Sequence, residues 1–560
     1  MTTTETRDFA YLDELPRERT YLLPALHLLH EREGYLSPAG LAAVSKRLRV
    51  PNSELNGVAR SYSELRFEPP PERSVGLCTG LSCRLNGAEA LAAELHAAGR
   101  HVEEQPCRFL CNQAPVVALG HPSSHAHGYV VEATAAKVAA ALDGEPELPR
   151  RPTPTAAPAE TRRVTARCGG VNPESLGAAH AAGAYEGLAK ARSLSPADAT
   201  AQVLASGLQG RGGAYFPAGR KWDGARAHPG PRYLVVNFEE GEPGVFKDRY
   251  LVENDPHVLV EGLLIAAHGI EARQVYVYIN GEANLAARRL ELALSQARQA
   301  ALLGDVAVEV RRGAGGYVCG EESVILSSIE GERAVPRLRP PLPVDSGLWG
   351  RPTVINNVET LANLPFIFRE GVEEFRSVGT EQAPGTKILC LSGAVQRPGV
   401  YEVALGTTLR SVLFELGGGP RAGHMLRAAV CGGPSGGLMP ESKFDTPLFG
   451  GSLDAGGAAL GAGGIVAIDD SMPLREAVYH LAAYNAAESC GKCTPCREGS
   501  PRMRDLLAQL GNGSAPKDAI ELLDARDEAM ASASLCGLGQ MAPLPYRSLR
   551  THFIGELGDE

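Results

Sequence analysis

Eight of the twelve cysteines in this 560-residue chain fall into two groups whose spacing is typical of metal ligation. The C-terminal group has the pattern C-x2-C-x2-C, followed by a distant fourth thiol: Cys490, Cys493, Cys496 and Cys536. Three thiolates from one tight loop and a remote fourth can ligate a [4Fe–4S] cluster, whereas zinc is more often bound by two pairs. This group is the strongest chemical signal in the sequence.

The N-terminal group has the wider spacings C-x4-C and C-x3-C, and each of its pairs follows a predicted strand: Cys78, Cys83, Cys107 and Cys111. Four such thiolates suit either an all-thiolate zinc site or a [2Fe–2S] cluster, and the wide spacings favour iron–sulfur because zinc sites prefer C-x2-C. The other four cysteines are predicted to pack in the interior: Cys168, Cys319, Cys390 and Cys431.

A glycine-rich loop at 207–222 contains five glycines and three cations. Bare N–H groups in a loop that can turn through positive φ, next to cations, favour a phosphate. A second glycine-rich loop begins at Gly313 and runs into an apolar helix, which again favours an anion. Either loop alone could be only a turn, so the interpretation depends on the segments around them.

Between the two loops the pattern alternates strands and helices. A buried strand from Tyr233 leads into the acidic segment 239–249, which is either a solvated turn or a holder of ribose hydroxyls and the nicotinamide amide. Helix 257–269, strand 274–279 and helix 283–302 follow, and this alternation supports a nucleotide-binding crevice.

Composition and the Gly- and Pro-rich breaks between predicted elements indicate an α/β multidomain protein. The hydrophobic content of 44% and charged content of 21% are ordinary for a globular chain, and the net charge of −10 disfavours nucleic acid as a partner. We find no apolar run long enough for direct membrane insertion and no signal-peptide core, so a cytoplasmic location is expected. The predicted divisions are a helical bundle at 1–73, an α/β cluster domain at 74–142, a Pro-rich linker at 143–166, a nucleotide domain at 167–387, a β-rich structural module at 388–470 and a helical cluster domain at 471–560.

The motifs resemble those of complex I. The first 140 residues are similar to its thioredoxin-like [2Fe–2S] subunit, and residues 167–560 to its NADH-oxidising flavoprotein, which holds FMN and a [4Fe–4S] cluster. The motifs that carry the resemblance are GRGGAYFPAGRKW, NFEEGEPGVFKDR, GAGGYVCGEES, PTVINNVET, ESCGKCTPCREG and SLCGLG. The resemblance implies a Rossmann-like flavin domain, a ubiquitin-like β-grasp module and a C-terminal helical bundle.

The resemblance also implies the residues around each cofactor. FMN would contact Gly210, Arg211, Gly212, Gly213, Lys221, Asn237, Glu239, Tyr317, Gly320, Glu321, Asn356, Asn357 and Thr360. NAD(H) would lie near Phe216, with Glu242, Glu322 and Arg339 as polar contacts; Glu242 and Glu322 position the nicotinamide. Three positions depart from the family pattern, which generally has Asp at Glu239, Lys at Arg339 and Phe at Leu342.

Fused versions of these subunits are typical of soluble NAD-linked enzymes. The C-terminal half most resembles the β subunit of NAD-dependent formate dehydrogenases, whose partner α subunit contains molybdenum or tungsten. This implies hydride exchange between NAD(H) and FMN and single-electron exchange with the clusters. The alternatives are the NADH-oxidising subunit of complex I, the diaphorase subunit of an NAD-reducing hydrogenase and, in another class, a flavin-free zinc-bound scaffold.

Overall fold

A computed structural model describes residues 9–69, 74–119, 128–144 and 159–557. The N-terminal segment forms three helices, α1 (Leu22–Glu33), α2 (Pro38–Leu48) and α3 (Asn52–Ala59). Ser37 caps α2 by accepting a hydrogen bond from the Gly40 N–H, and Pro38 occupies the first turn. The apolar faces of these helices share one core with residues of the nucleotide-binding part, including Tyr276 and Ile325, so the predicted bundle is not an independent unit.

The first cysteine group lies in a small four-stranded sheet of order β2-β1-β3-β4. Strands β1 and β2 are parallel, and the other pairs are antiparallel. The elements are β1 (Ser74–Cys78), α4 (Leu81–Leu85), α5 (Ala88–Ala97), β2 (His101–Gln105), β3 (Val117–Leu119), β4 (Gly128–Val130) and α6 (Ala135–Leu142). Cys78 ends β1 and Cys107 follows β2, so the carboxyl ends of two parallel neighbours bring their loops together.

Most of the predicted Pro-rich linker, residues 145–158, lies outside the described part of the chain. Its last residues are fixed to the β-rich module by one buried carboxylate. Glu402 accepts hydrogen bonds from the N–H groups of Arg163, Val164 and Thr165, at 3.0, 3.0 and 2.8 Å. The segment after 158 is therefore part of the folded structure.

The central part is a parallel sheet of order β7-β6-β5-β8 with helices on its faces. Four helices precede it: α7 (Leu176–Ala181), α8 (Glu186–Arg192), α9 (Pro196–Ser206) and α10 (Ala218–Arg226). The alternating elements are β5 (Tyr233–Phe238), α11 (Lys247–Asn254), α12 (Pro256–Ile270), β6 (Gln274–Ile279), α13 (Asn284–Gln299), β7 (Ala307–Arg312), α14 (Glu322–Ile329) and β8 (Thr353–Asn357). Three helices complete it: α15 (Val358–Ala362), α16 (Leu364–Glu370) and α17 (Val372–Arg376).

The glycine-rich and polar segments cluster at the carboxyl edge of this sheet. Asn237, Asn280, Gly313 and Asn357 each lie at or just beyond the end of a different strand. Parallel strands bring such positions to one edge, where open α/β sheets bind their ligands.

The β-rich module is a five-stranded mixed sheet of order β10-β9-β13-β11-β12. Its strands are β9 (Thr386–Gly393), β10 (Gly399–Ala404), β11 (Leu426–Cys431), β12 (Gly437–Pro440) and β13 (Gly464–Asp469). The helical segment Ser411–Leu416 packs with its apolar face on the sheet. The sheet therefore has a core of its own.

The last part is helical and carries the second cysteine group. Its helices are α18 (Leu474–Ala487), α19 (Thr494–Asn512), α20 (Ala519–Ala533), α21 (Gly537–Met541) and α22 (Leu544–His552). Helices α18 and α22 pack on β11 and β13 of the preceding sheet through one shared apolar core. Within the described residues, no helix combines the length and apolar character that a membrane crossing requires.

Candidate functional site

The four C-terminal cysteines converge on one pocket, which Val318, Pro336 and Leu538 also line. Cys493 precedes α19, Cys496 lies in its first turn, and Cys536 is the N-terminal capping residue of α21. The N-termini of α19 and α21 thus direct three of the thiols towards the pocket that Cys490 also lines. The residues present therefore fit a cluster held by four cysteines.

The four N-terminal cysteines are buried together. The Sγ atoms of Cys107 and Cys111 lie 3.3 Å apart, and the main-chain N–H of Phe109 donates to Cys107 Sγ at 3.3 Å. Hydrogen bonds from the side chains of Cys107 and Cys83 hold the pKa of Cys78 well below its usual range. Four converging thiols, one of which favours the thiolate, fit a cluster ligated by cysteine alone.

The first glycine-rich loop is folded tightly against strand β8 and the β-rich module. A Cβ atom on Gly212 would lie 3.0 Å from that of Asn357, and Gly213, at φ 116°, lies against the main chain of Gly461. Only glycine allows this close approach at both positions. This loop, whose main chain is bare at Gly210, Gly212 and Gly213, is called the cradle below.

Arg211 corrects one expectation about this loop. Its guanidinium is fully buried and donates to the main-chain oxygens of Thr386, Gln209 and Pro384 at 3.0 to 3.1 Å. Its own N–H donates to Thr360 Oγ1 at 2.8 Å. The buried guanidinium has three of its five N–H groups bonded to carbonyl oxygens, so it stabilises the loop instead of standing free as one of its cations.

A four-residue ionic cluster joins the two glycine-rich loops. Glu322 accepts from Lys221 Nζ at 2.9 Å and lies 3.3 Å from a guanidinium nitrogen of Arg339. Arg339 also pairs with Glu321, and the Glu321 carboxylate caps α14 by accepting from the N–H groups of Ser323 and Val324. The structure thus brings together Lys221, Glu321, Glu322 and Arg339, all four of which the sequence predicted as cofactor contacts.

Glu239 is buried beside a cavity of about 260 Å³ that extends to the Cys107 loop. Its Oε1 accepts from Asn280 Nδ2 at 3.1 Å, and its Oε2 is buried without a hydrogen-bond partner among the described residues. Burial, with a contribution from the Glu64 carboxylate, raises the pKa of Glu239 well above its usual range. The raised pKa favours the protonated form of Glu239, which can donate a hydrogen bond.

Glu242 lies against the β-rich module. Tyr317 OH donates to its carboxylate at 3.5 Å, and a Cβ atom on Gly433 would lie 2.5 Å from its Cγ. Burial raises the pKa of Glu242 to about 7, although Lys247 and Lys387 oppose this effect. Its Oε1 is buried without a hydrogen-bond partner in the described chain, so one acceptor is left for a bound group.

The remaining polar residues at the sheet edge orient one another. Asn237 Nδ2 donates to Gly320 O at 2.9 Å, and Asn357 Nδ2 donates to Asp248 at 2.6 Å. Asn356 accepts from Trp222 Nε1 at 3.0 Å and is buried. The Asn356 amide therefore anchors α10 behind the loop, while Asn237 is more exposed.

Phe216 is the exposed aromatic residue of the first loop, with 48% of its surface accessible. Leu342 is also exposed and follows the Arg339–Pro341 segment. Exposed apolar side chains beside an ionic cluster suit a ligand that is both planar and charged.

Some residues at the site were not predicted from the sequence. Ser435 of the β-rich module lies near the Tyr317 hydroxyl, Tyr484 OH donates to Gly241 O at 2.9 Å, and Tyr317 N donates to Glu488 at 2.6 Å. The module therefore contributes to the site, contrary to its assignment to structural work alone. The glycine run at 432–437 could have signalled a loop that closely approaches a neighbour.

Four family models match successive parts of the chain. They are the thioredoxin-like [2Fe–2S] ferredoxin at 9–144, the Nuo51 FMN-binding domain at 203–366, the SLBB domain at 388–438 and the NADH-ubiquinone oxidoreductase-F iron-sulfur binding region at 476–560. Together with the geometry above, they define the class: an iron–sulfur flavoprotein of the complex I type, with FMN, NAD(H), [2Fe–2S] and [4Fe–4S] as cofactors.

The relatives identify the family. The F 2 subunit of the NADH-quinone oxidoreductase of Rhizobium meliloti is 42% identical over 386 residues, which are 67% of this chain and 92% of that protein. The HndC subunit of the NADP-reducing hydrogenase of Solidesulfovibrio fructosivorans is 39% identical, over 71% and 83% of the two chains. The chain belongs to the family of NADH-quinone oxidoreductase F subunits and functions as an NADH, FMN and iron–sulfur electron-transfer subunit.

A solved structure matches nearly the whole chain. It is an NAD+-reducing [NiFe]-hydrogenase in the H2-reduced state, with a TM-score of 0.82 and 30% identity over 97% of this chain and 92% of the other. The similarity therefore includes both the N-terminal and the C-terminal cysteine regions in one polypeptide.

Proposed function

We propose that this chain is the β subunit of an NAD-dependent formate dehydrogenase. In that enzyme it exchanges electrons between NAD(H) and a partner α subunit that contains molybdenum or tungsten. The observation that supports the electron-transfer part of the proposal is the location of the two cysteine sets relative to the carboxyl edge of the parallel sheet. Cys107 of the first set lines the same cavity as Glu239 and Asn280 at this edge, and the second set lines a pocket with Val318 of the second glycine-rich loop.

Each set of residues has a role in this proposal. The cradle of Gly210, Gly212 and Gly213 would hold FMN, with Lys221 as the cation and Asn237 and Asn357 as polar contacts. Arg211 and Thr360 would act through the shape of the loop, since their side chains bond to the main chain. Cys78, Cys83, Cys107 and Cys111 would ligate the [2Fe–2S] cluster, and Cys490, Cys493, Cys496 and Cys536 the [4Fe–4S] cluster.

NAD(H) would lie at the open side of the cradle. Phe216 offers an aromatic face, Arg339 offers a charge, and Glu322 holds Arg339 and Lys221 in place. Glu242 would orient the nicotinamide through its free oxygen. When bound, FMN supplies hydride exchange with NAD(H) together with single-electron exchange, a combination that amino-acid side chains cannot provide.

The choice of formate as the partner's substrate depends on the C-terminal sequence resemblance, especially the segments from Gly432 and from Ser534. A second candidate, the diaphorase subunit of an NAD-reducing hydrogenase, is favoured by the similarity of the whole fused chain to the hydrogenase structure. Both candidates use the same site in this chain and differ only in the subunit that is attached.

Anaerobic purification from the native host, with the attached subunit identified, separates the two candidates. We expect NAD+ reduction with formate and none with hydrogen. Reduction of NAD+ by hydrogen alone would replace the proposal by the second candidate, and activity with quinone alone would assign the chain to complex I.

The site assignment has its own test. Lys221→Met should reduce the FMN content of the purified protein strongly, because the cradle loses its cation. Lys190→Met on α8 is the matched control, since Lys190 donates to the Arg369 carbonyl away from the cradle. Equal FMN content in both variants would contradict the assignment.

A further inference from the structure

The loop between Cys107 and Cys111 is held from outside its own domain. Phe109 lies between the two cysteines, and the Arg249 guanidinium lies over its ring, with Cζ 4.0 Å from the ring centroid. Both side chains are buried. A guanidinium stacked on an aromatic face away from water is among the stronger cation–π arrangements.

The backbone at Phe109 indicates that this contact opposes local strain. Phe109 has φ 57°, in the left-handed region that a bulky residue rarely adopts. Such a conformation persists where surrounding contacts impose it. The stacked Arg249 and the hydrogen bond from Phe109 N–H to Cys107 Sγ are two of the contacts made by this residue.

A second buried contact joins the same loop to the flavin-binding part. Arg108 forms an ion pair with Glu282, which lies just beyond β6, and both side chains are almost fully buried. Arg108 also donates to Gln105 at 2.6 Å. The cysteine loop therefore has two anchors, Arg249 and Glu282, and its residues Arg108 and Phe109 line the cavity near Glu239.

Arg249 is also tied to the acidic segment of the candidate flavin site. Its side chain donates to the main-chain oxygen of Glu240 at 3.2 Å. The N–H groups of Arg249 and Asp248 donate to the Glu240 carboxylate at 2.9 and 2.6 Å. Glu240 lies between Glu239 and Gly241, so one arginine contacts both the segment that would surround FMN and the loop with two of the cysteines.

We propose that Arg249 is a positioning residue that fixes the Cys107–Cys111 loop against the flavin-binding segment. This rests on the proposed function, in which these cysteines ligate the [2Fe–2S] cluster. Lysine at 249 would keep the charge but lose the planar stack on Phe109.

The test uses the complete, cofactor-loaded protein and two readouts. One is amide hydrogen exchange at residues 108–112, and the other is the electron paramagnetic resonance spectrum of the [2Fe–2S] cluster after reduction with dithionite. Arg249→Lys and Phe109→Leu should each speed the exchange about tenfold and broaden the spectrum. Phe109→Trp, which keeps an aromatic face, should stay close to the wild type.

Arg311→Lys is the matched control. Arg311 is a buried arginine of β7, with Cζ 4.5 Å from the Tyr21 ring centroid, and it contacts the segment before α1 instead of the cysteine loop. Wild-type exchange and spectra in both Arg249→Lys and Phe109→Leu would overturn the proposal, as would equal loosening of the loop in Arg311→Lys. If the wild-type protein gives no [2Fe–2S] signal, the proposed function fails, while the exchange data still decide whether Arg249 holds the loop.

Discussion

The two cysteine groups differ in how they are enclosed. All four N-terminal cysteines are at most 6% exposed, and their loop is held by arginines in a contact between two domains. In the C-terminal group only Cys496 is buried, while Cys490, Cys493 and Cys536 are partly accessible. The N-terminal cysteines are therefore buried in the molecule, and the C-terminal cysteines lie nearer its surface.

This difference indicates which group can exchange electrons with another subunit. A partly exposed cluster can be approached closely by a partner, whereas a buried one is reached mainly through its own chain. We therefore expect the C-terminal group to face the partner and the N-terminal group to act as an internal store beside the flavin-binding segment. The predictions below test this contrast.

Removing one ligand from each group should have the largest effect. Cys496→Ser should cost about four iron atoms per chain and Cys107→Ser about two, because each cluster depends on its own four thiolates. Iron analysis and paramagnetic resonance measure both losses. Cys431→Ser, at a buried cysteine in neither group, is the control, and loss of both signals in either ligand variant would contradict the separation of the groups.

Exposure should make the C-terminal cluster the more reactive one. Under a chelator or mild oxidant we expect its resonance signal to disappear about tenfold faster than that of the N-terminal cluster, since access to a buried site requires local opening. Arg249→Lys should reduce this ratio by opening the N-terminal loop. Equal decay rates in the wild type would remove the basis for the contrast.

The free energy of unfolding should vary with pH partly because Glu242 titrates. This residue lies on the side of the site that faces the β-rich module. Its pKa of about 7 in the folded protein exceeds its unfolded value, so its contribution to stability is complete below about pH 4.3 and is lost as the pH rises through 7. Glu242→Gln should remove up to about 3 kcal/mol of this dependence.

Chemical unfolding of the wild type and of Glu242→Gln at several pH values between 5 and 8 provides the measurement. The difference between the two proteins is informative because other buried carboxylates, including Glu240, titrate in the same range. Parallel stability curves would show that Glu242 is charged in the folded state throughout.

The smallest expected effect is at Leu342. Restoring the aromatic residue generally found there in the family, by Leu342→Phe, should lower the KM for NADH about threefold to tenfold, because aromatic stacking is worth about 0.5–1.5 kcal/mol. Both cluster signals should remain unchanged. Leu292→Phe, at another exposed leucine, controls for a general effect of added aromatic surface.

Features that depend on residues close together in the chain could be predicted from the sequence. Strand 274–279 and the predicted helices at 257–269 and 283–302 are confirmed within three residues, because apolar periodicity determines them. The grouping of the N-terminal cysteines likewise follows from their spacing and the strands before each pair, and the C-x2-C-x2-C loop follows from its spacing alone. Such features depend on neighbours in the chain.

Long-range partners were not predictable in the same way. The sequence places Arg211 in a cationic loop, but its carbonyl partners at Pro384 and Thr386 come from the start of another sheet. The contact between Glu242 and Gly433 and the stack of Arg249 on Phe109 likewise depend on how separate units pack. Single-residue patterns carry no information about these pairings.

The contacts of Arg211 also limit where the polypeptide could be truncated to give a stable fragment. The Arg211 guanidinium would lose the Thr386 carbonyl, one of its three acceptors, if the polypeptide were cut just before β9, and the loss of a hydrogen-bond partner by a buried cation is costly. Fragments truncated at that junction should therefore be recovered poorly. A fragment intended to carry the flavin-binding half alone should extend through β10, so that the arginine keeps its carbonyl acceptors.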